Sequence, residues 1–349
     1  MKVVLGTPHI CVIGSLNIDF VTYTSRCPEA GETLTARSLS INAGGKGANQ
    51  AVACGRASFS SKSRQDVTVS MIGAVGADDP NYATLLKSVL ERSGVSTRGV
   101  EERKDCQTGS ATIIVEEGGG GENRILVVPG ANHSGMSDVE SIYTKITNNN
   151  QQPSPEVVVL QGEIPRQTVL GLLRHFNVSG SKTRVVFNAA PVFPEGTPLS
   201  ALKNLAVLIM NETETMQLAA SVAVELRLSV ASGEELELKP AQLASFFHDL
   251  ANVKIVLITL GAKGVFFSTE TGRQGFVNAV KVKKVADTTA AGDTFVGYFA
   301  TAFAKFVATG LDLEAFDAGI EDVVEAANSA AAMCVQRIGA MKSIPFAYE

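Results

Sequence analysis

The sequence predicts an α/β protein in which a doubly wound, mostly parallel central sheet is flanked by helices and carries a small additional β-sheet. Short, almost continuously apolar runs such as VVVL at 157–160 alternate with longer helical segments, as in strands buried on both faces of a parallel sheet. Two regions, roughly 20–44 and 106–132, alternate polar and apolar residues instead, which indicates a sheet with one face in water. A length of 349 residues with 45% apolar content allows a large core.

The strand-like runs follow one another along the chain with helical segments between them. The runs are HICVIGSL, VTVSMIGAVG, EVVVLQG, RVVFNAAP, LAVLIMNETE and KIVLITLGAKGVFFS. The segments DPNYATLLKSVLERSG and IPRQTVLGLLRHFN have helical patterns, and this alternation favours a doubly wound fold. The glycine run 118–121 separates two strand-like segments and is typical of a hairpin tip. The polar segments RASFSSKSRQD and TKITNNNQQPSPE are predicted to be surface loops.

Composition excludes several classes of protein. A net charge of −5 without a long Lys/Arg block argues against a nucleic-acid surface. No apolar run reaches the roughly 20 residues that a membrane span requires, and the N-terminus lacks the pattern of a signal peptide. The five cysteines are scattered without a C-x-x-C pair, which favours a reducing compartment and no structural zinc. We therefore expect a soluble protein of the cytoplasm, with the nucleus as the alternative.

Polar residues recur where the predicted parallel strands end. Each alone is more typical of a turn or cap, but ligands of open α/β sheets bind beyond the carboxyl ends of the strands, so the recurrence predicts a ligand site there. Asn17 and Asp19, two residues apart, can point to the same side of a strand. The other residues of this set are Glu163, Asn188, Asn211, Glu214, Thr259 and Gly261.

Two segments rich in small residues stand out further. NAGGKGANQAVACGRA places Lys46 among three glycines, which is either a glycine-rich turn or a loop whose backbone approaches a ligand. It is not a Walker A loop, because no Ser or Thr follows the lysine. In DTTAAGDTFVG, Asp293 lies at the start of a predicted helix, where it is either a cap or part of an anion site.

Other catalytic motifs are missing from the sequence. There is no H-E-x-x-H, no clustered histidine and no G-x-S-x-G, so metalloprotease and serine-hydrolase chemistry have no support. A G-x-G-x-x-G fingerprint does not follow the first strand, which makes a nucleotide-dependent dehydrogenase a remote alternative.

The motifs together resemble those of the ribokinase (PfkB-type) carbohydrate kinases. NAGGKGANQA, DTTAAGDTFVG, GSLNIDF, GET, PGAN, NAAP, NETE and ITLGAKGV fall in that family's order over about 11–345. Within the family, GGKGANQA with SLNID is similar to the ribose-specific members. The resemblance implies a single catalytic domain over 1–349, with a β-lid built from roughly 20–44 and 106–132. It also implies ATP-dependent phosphorylation of D-ribose at O5, giving ribose 5-phosphate and ADP.

The resemblance also assigns roles to the polar residues at the expected site. Asp293 would be the catalytic base, with a backbone anion hole formed by Ala290, Ala291, Gly292 and Asp293 itself. The residues that match the family's sugar site are Asn17, Asp19, Gly45, Lys46, Asn49, Glu163 and Asp293. Those that match its nucleotide site are Asn211, Thr259, Leu260, Gly261, Ala262, Lys263, Gly264, Gly292 and Asn328.

Two metal ions and a dimer are further implications of the resemblance. Glu214 would bind Mg²⁺ through water, and K⁺ would activate the enzyme as a monovalent cation. The positions that match the family's monovalent-cation site are Asp287, Thr289, Cys334, Arg337, Gly339 and Ser343. A homodimer formed through the β-lids is implied as well, with no nucleic-acid or membrane partner.

Two departures from the family pattern and two rival functions remain open. Gly162 precedes Glu163 where a larger apolar residue is common, and Met341 with Lys342 replaces a polar–proline pair. The first rival is a kinase of the same fold that acts on another sugar, a sugar acid or a nucleoside. The second is a catalytically silent sugar- or nucleotide-binding regulator, because a fold does not determine a function.

Overall fold

The computed structural model describes residues 6–116, 122–147, 154–225 and 239–349. The glycine run predicted to be a hairpin tip, 118–121, lies outside the described residues, and so does 148–153 of the second polar segment.

The described residues form strands and helices in regular alternation, as the apolar runs predict. The strands are β1 (His9–Ile13), β2 (Asn17–Thr24), β3 (Ser38–Gly44), β4 (Phe59–Ser61), β5 (Arg64–Gln65), β6 (Thr68–Gly76), β7 (Val95–Arg103), β8 (Gly109–Glu116), β9 (Glu122–Val128), β10 (Val157–Leu160), β11 (Arg184–Asn188), β12 (Val207–Asn211), β13 (Ile255–Thr259), β14 (Gly264–Thr269) and β15 (Gln274–Asn278). The α-helices are α1 (Lys46–Ala57), α2 (Ser88–Arg92), α3 (Ala131–Ser134), α4 (Val139–Thr147), α5 (Arg166–Phe176), α6 (Leu199–Leu202), α7 (Glu212–Glu225), α8 (Pro240–Ala251), α9 (Ala291–Val307), α10 (Ile320–Cys334) and α11 (Ala340–Ser343). Short 3₁₀-helices lie at Gly261–Lys263 and Leu313–Ala318.

Nine strands form the central sheet in the order β15-β14-β13-β12-β11-β10-β1-β6-β7. All pairings from β13 to β7 are parallel, and β14 and β15 add an antiparallel edge. Strand β10 is buried along its whole length, in agreement with its unbroken apolar sequence. The predicted fold class, a mostly parallel sheet flanked by helices, is confirmed.

Alternate residues of the central strands pack into two hydrophobic layers, one on each face of the sheet. Ile10 and Val12 of β1 belong to a layer with Phe299 of α9. Cys11 and Ile13 belong to the opposite layer, formed largely by α5 and α8. This alternation follows from the two-residue repeat of a strand. Because helices cover both faces of the sheet, the carboxyl ends of the strands form its open edge, where ligands of α/β sheets bind.

The second sheet has four strands in the order β3-β2-β8-β9. Strand β2 pairs antiparallel with β3 and parallel with β8, and β9 returns antiparallel to β8. Apolar side chains of the edge strands are exposed, among them Leu39 (60%), Leu126 (69%) and Val127 (56%). The sheet therefore presents uncovered apolar surface, where the alternating pattern predicted a polar face.

Two local predictions are corrected by the structure. Residues 58–66, predicted to be a surface loop, contain the short antiparallel hairpin of β4 and β5. The predicted helix beginning near residue 79 starts with a π-helical turn at Tyr82–Lys87 before α2. Within the described residues, no helix has both the length and the apolar character needed to cross a bilayer.

Close packing of α1 against α9 brings the starts of both helices together at the open edge of the sheet. Gly297 of α9 faces Ala53 and Cys54 of α1, and a Cβ on Gly297 would lie 2.3 Å from the Ala53 Cβ. A hydrogen bond from Thr301 Oγ1 to the Cys54 carbonyl (3.2 Å) joins the same two helices. Glycine thus permits the approach that places Asn49 of α1 next to Asp293 of α9.

Candidate active site

The glycine-rich segment packs directly on the turn that joins β1 to β2. Gly45 has a φ of 90°, and a Cβ there would lie 2.9 Å from the Asn17 backbone nitrogen, so the backbone requires glycine. A Cβ on Gly47 would lie 2.5 Å from the Ser15 nitrogen. The Gly47 N–H donates to the Ser15 hydroxyl (3.2 Å). These contacts hold the first turn of α1 beside Asn17.

Asn17 is oriented by Asn132, the asparagine of the PGAN motif. Asn132 Nδ2 donates to Asn17 Oδ1 (2.7 Å) and to the Leu16 carbonyl (3.2 Å), and its Oδ1 accepts the Leu16 N–H (2.8 Å). Asn132 and Asn17 are both buried. Because the oxygen of Asn17 is engaged, its amide N–H groups are the part that can bind a ligand.

Glu163 joins the end of β10 to the glycine-rich segment. Its Oε2 accepts hydrogen bonds from the Ser15 hydroxyl (2.6 Å) and the Lys46 N–H (2.8 Å). The preceding residue, Gly162, lies against the chain at Pro191, where a Cβ would approach the Pro191 carbonyl oxygen to 2.0 Å. This contact explains why a larger residue is absent at Gly162.

The Asp19 carboxyl group occupies an unfavourable electrostatic position. It lies over Gly44 of the neighbouring strand, where a Cβ would meet Asp19 Oδ2 at 2.0 Å. Burial, reinforced by the negative charge of Glu163, raises the pKa of Asp19 from 3.8 to about 7. Within the described part of the chain, no hydrogen bond reaches this carboxyl group. Asp19 is therefore a half-buried acceptor that a ligand with hydroxyl groups can satisfy.

Asp293, in the first turn of α9, is only 7% exposed and is held by two amides of α1. Asn49 Nδ2 donates to Asp293 Oδ2 (2.9 Å), and Gln50 Nε2 donates to Asp293 Oδ1 (2.9 Å). The Asn49 Oδ1 atom is buried and has no partner in the described residues, so it can accept a hydrogen bond from a ligand.

Lys46 supplies the positive charge that faces these carboxylates. The charge of Asp293, followed by those of Glu163 and Glu214, raises the pKa of the Lys46 ammonium against the opposing effect of burial. The ammonium therefore stays protonated near neutral pH, between the predicted sugar site and the predicted phosphate site.

The start of α9 has the geometry of an anion site. Ala290 precedes the helix with a φ of 61°, and no side chain caps the helix. Backbone hydrogen bonds engage the Ala291 and Thr294 N–H groups, whereas the N–H groups of Gly292 and Asp293 have no acceptor in the described residues. Nothing lies within 4 Å of where a Gly292 Cβ would be, and Gly292 is exposed, so an anion can approach the start of the helix here.

A cavity of about 440 Å³ adjoins the start of α9. Thr259, Gly261 and Asn328 line it, and so does Gly292. Leu260, Lys263 and Asn211 do not line it, although the sequence groups them with the nucleotide site. The walls are mostly apolar, which suits a flat aromatic base, and they include side chains that the motifs did not indicate: Ala279, Val280, Val285, Phe295, Ala331 and Val335.

Asn211 and Glu214 form a reciprocal cap at the start of α7. The Asn211 N–H donates to Glu214 Oε2 (2.8 Å), and the Glu214 N–H donates to Asn211 Oδ1 (2.8 Å). Burial raises the pKa of the Glu214 carboxyl, although the Asn211 N–H and Lys46 oppose this effect. Glu214 Oε1 is not used by the cap, and one free carboxylate oxygen fits a Mg²⁺ ion that keeps most of its waters. Among the described residues, no cluster of three metal-binding side chains forms a complete site.

The residues predicted to surround a monovalent cation come together behind the anion site. Asp287 Oδ1 accepts the Thr289 N–H (2.9 Å) and hydroxyl (2.6 Å), and its Oδ2 accepts the Gly339 N–H (3.0 Å). Burial alone would raise the pKa of Asp287, but these bonds hold it below its usual value. Cys334 and Ser343 are joined by a 2.9 Å contact. Asp287 thus braces two loops whose carbonyl oxygens suit a hard cation.

Two departures from the family pattern lie in this region. Met341, which replaces a polar residue of the family pattern, is buried in the hydrophobic layer, and Lys342 is exposed. The Arg337 side chain bonds to Glu349 (2.6 Å), so only its backbone can contribute to a cation site.

The structure adds residues that motif matching missed. Ser15, Gln50 and Gln161 all contact the site or its supports. Gln50 could have been noticed as a long polar side chain in a helix of small residues, and Gln161 as an amide at the end of the apolar run VVVL.

Comparisons with known proteins give the family. Residues 7–347 match the model of the pfkB family carbohydrate kinases. A ribokinase of Schizosaccharomyces pombe is 36% identical over 339 residues, which cover 97% of this chain and 95% of the relative. The crystal structure of a Thermotoga maritima ribokinase has a TM-score of 0.75 and 31% identity, covering 97% of this chain and 96% of that chain. An Arabidopsis thaliana ribokinase complexed with ribose and ATP has a TM-score of 0.74 and 27% identity, covering 98% and 96%.

The family expected from the motifs is thereby confirmed. The match extends over nearly the whole chain, as the order of the motifs implied. The chain belongs to the pfkB family of carbohydrate kinases.

Proposed function

We propose that the protein is an ATP-dependent ribose kinase that converts D-ribose and ATP into ribose 5-phosphate and ADP. One observation carries the proposal: a buried carboxylate, Asp293, lies next to uncapped N–H groups of α9 and beside a second set of polar groups suited to a sugar. A base, an anion hole and hydroxyl-binding groups are the parts that phosphoryl transfer to a sugar requires.

In the proposed reaction, the primary hydroxyl of ribose attacks the γ-phosphorus of ATP. The new O5–P bond forms as the bond from phosphorus to the bridging β,γ-oxygen breaks, and ADP leaves with that bond's electrons. Asp293 receives the hydroxyl proton. A carboxylate is a weak base for an alcohol, but proton removal comes late in a loose transition state, so positioning dominates.

The free N–H groups of Gly292 and Asp293 would stabilise the charge that develops on the transferring phosphoryl group. The small residues before them permit close approach of the phosphate, and losing one such donor typically costs about 3–4 kcal/mol in the transition state. Bound Mg²⁺, held through water at Glu214, would neutralise phosphate charge. Lys46 adds a fixed positive charge beside Asp293.

For the sugar, the proposed contacts are the oriented amide of Asn17, the carboxylates of Asp19 and Glu163, and Asn49 Oδ1. A site built from such groups disfavours an analogue that lacks a hydroxyl, because the group that bonds this hydroxyl would then be left without its partner. The four-stranded sheet that carries Asn17 and Asp19 would act as the lid over the sugar.

K⁺ activation and dimer formation are further parts of the proposal. Loop carbonyls braced by Asp287 would hold the cation. The exposed apolar residues Leu39, Ile41 and Leu126, which the strand register places on one face of the lid, would be covered by the lid of a second copy, since uncovered patches of this kind mark interaction surfaces. The five cysteines are free, which suits a cytoplasmic enzyme.

The test is ADP release with Mg-ATP and K⁺ across ribose, deoxyribose, fructose, ketodeoxygluconate and adenosine. We expect strong preference for ribose, and Asp293→Asn should lower kcat by at least about 100-fold with a much smaller change in KM. Preference for another acceptor would support a different kinase of this fold. Nucleotide binding without acceptor-dependent turnover would support the silent regulator instead.

A further inference from the structure

Three buried amide side chains form a continuous hydrogen-bonded chain that ends on Asp293. Gln161 Nε2 donates to Gln50 Oε1 (2.8 Å). Gln50 Nε2 in turn donates to Asn188 Oδ1 (2.9 Å) and Asp293 Oδ1 (2.9 Å). Gln50 is 0% exposed and Gln161 is 1% exposed. The chain links β10 and β11 to α1 and α9, four elements that meet only in the folded protein.

The donors and acceptors fit together in a single direction. Both N–H groups of Gln50 and its oxygen are engaged, so the amide has no unused N–H group. Rotating it by 180° would turn its oxygen toward the Asp293 carboxylate and the Asn188 oxygen, where oxygen atoms repel. Gln161, which donates to the Gln50 oxygen, favours the same orientation from the other side of the amide. The Gln50 N–H groups therefore face Asp293.

The hydrogen-bonded amides also lower the stability of the protein, because burying them leaves one polar atom without a partner. Gln161 Oε1 is buried without a partner in the described residues. A Cβ on Gly14 would lie only 2.0 Å from this oxygen. The other buried residues of the Gln50 helix are mostly small. Burying an amide oxygen without a hydrogen-bond partner is unfavourable. We therefore infer that these amides have a role other than filling space.

We propose that Gln50 is a positioning residue that fixes the plane of the Asp293 carboxylate, and that Gln161 locks Gln50 in the orientation this requires. Asn49 holds Oδ2 and Gln50 holds Oδ1, so consecutive residues of α1 grip both oxygens. The inference rests on the proposed role of Asp293 as the base. Displacing a reacting group by about 1 Å can cost about 100-fold in rate, so releasing one oxygen affects kcat rather than sugar binding.

The main test replaces Gln50 with methionine, which keeps the length of the side chain and removes the amide. We expect Gln50→Met to lower kcat by about 10- to 100-fold, with ribose KM changed less than about threefold. Gln65→Met is the matched control, because Gln65 makes its hydrogen bond to Gly94 (2.9 Å) outside the site. It should leave kcat unchanged.

The split between kcat and KM separates positioning from a structural role. A structural loss in α1 would also disturb the sugar contact proposed for the neighbouring Asn49 and would raise the ribose KM. A lower kcat at nearly constant KM is the result expected when only the reacting group is displaced.

Gln161→Met provides a second test that does not touch Asp293. It should lower kcat at least about threefold at constant KM, and it should add no further loss in the Gln50→Met background, because the two residues act in series. If Gln50→Met does not fold, Gln161→Met alone decides. Unchanged kcat in either folded variant would overturn the inference.

Asp293→Asn distinguishes this failure from failure of the proposed function. An inactive Asp293→Asn enzyme with a fully active Gln50→Met enzyme would refute the positioning role and leave the base in place. An active Asp293→Asn enzyme would refute the base itself, and with it the ground for this inference.

Discussion

Replacing Asp19 with asparagine should stabilise the ligand-free protein in a pH-dependent way. Its carboxyl group has a pKa of about 7, raised from 3.8 by burial and by Glu163. The folded state therefore prefers protonated Asp19, whose favourable contribution is fully present below about pH 4 and is lost as the pH rises through about 7. Asparagine mimics the protonated form and does not titrate.

The magnitude follows from the size of the pKa change. Each tenfold change in proton affinity is worth about 1.4 kcal/mol, so the full penalty on ionised Asp19 is about 4 kcal/mol. At pH 5 the ionisation of Asp19 destabilises the folded state by about 2 kcal/mol, and at pH 8.5 by nearly the full penalty of about 4 kcal/mol. The stability gap between Asp19→Asn and the wild type should therefore widen by about 2–3 kcal/mol between these pH values.

Thermal unfolding without ribose, followed by circular dichroism at pH 5 and pH 8.5, measures the gap. For a chain of this length, 2–3 kcal/mol corresponds to a Tm difference of about 3–4 °C. Asp249→Asn is the control, because Asp249 is exposed, and it should show no comparable pH dependence. A gap that is the same at both pH values would refute the electrostatic account of Asp19.

Ribose should reverse the order of stability. A ligand stabilises the folded state by an amount that rises with the logarithm of its concentration divided by its Kd, and the variant lacks the carboxylate proposed to bind ribose hydroxyls. Saturating ribose should therefore raise the Tm of the wild type and leave Asp19→Asn nearly unchanged. The Asp19 carboxylate would then lower the stability of the ligand-free protein and contribute to the binding of ribose.

Three further substitutions test other parts of the site. Lys46→Met removes the ammonium facing Asp293 and should lower kcat/KM for ribose by about 100-fold in steady-state ADP release; a change below threefold would exclude an electrostatic role. Gly297→Val should destabilise the protein by about 1–3 kcal/mol in urea unfolding, because its Cβ would collide with Ala53; an unchanged midpoint would mean that the helices can separate. Asp287→Asn should abolish the difference between rates in K⁺ and in a large organic cation, and retained stimulation would contradict bracing by this carboxylate.

The buried strands and the edge of the sheet that carries the site could be predicted because both follow from short-range patterns. Unbroken apolar runs identify the buried parallel strands, and polar residues just beyond them must meet at one edge of the sheet. Ser15 and Glu163 meet there because β1 and β10 are neighbours in the sheet. The prediction of the family rested on motifs rather than on physics, and it was confirmed over nearly the whole chain.

The supports of the site could not be predicted in the same way. Gln50 and Gln161 are 111 positions apart, and neither residue carries a local signal for the other. The exposed apolar face of the small sheet was also missed, because alternation of polar and apolar residues does not show which face is covered. Pairings that depend on tertiary contact appear only once the chain is folded.

The balance of charge explains why α9 begins without a cap. Asp293, Glu163 and Glu214 all face the ammonium of Lys46. A phosphate group that enters this region meets net negative charge, which opposes its binding. A capping side chain on α9 would consume the N–H donors that can offset the repulsion. Leaving those donors free costs stability in the empty protein, and it supplies electrostatic stabilisation at the place where the phosphoryl charge develops.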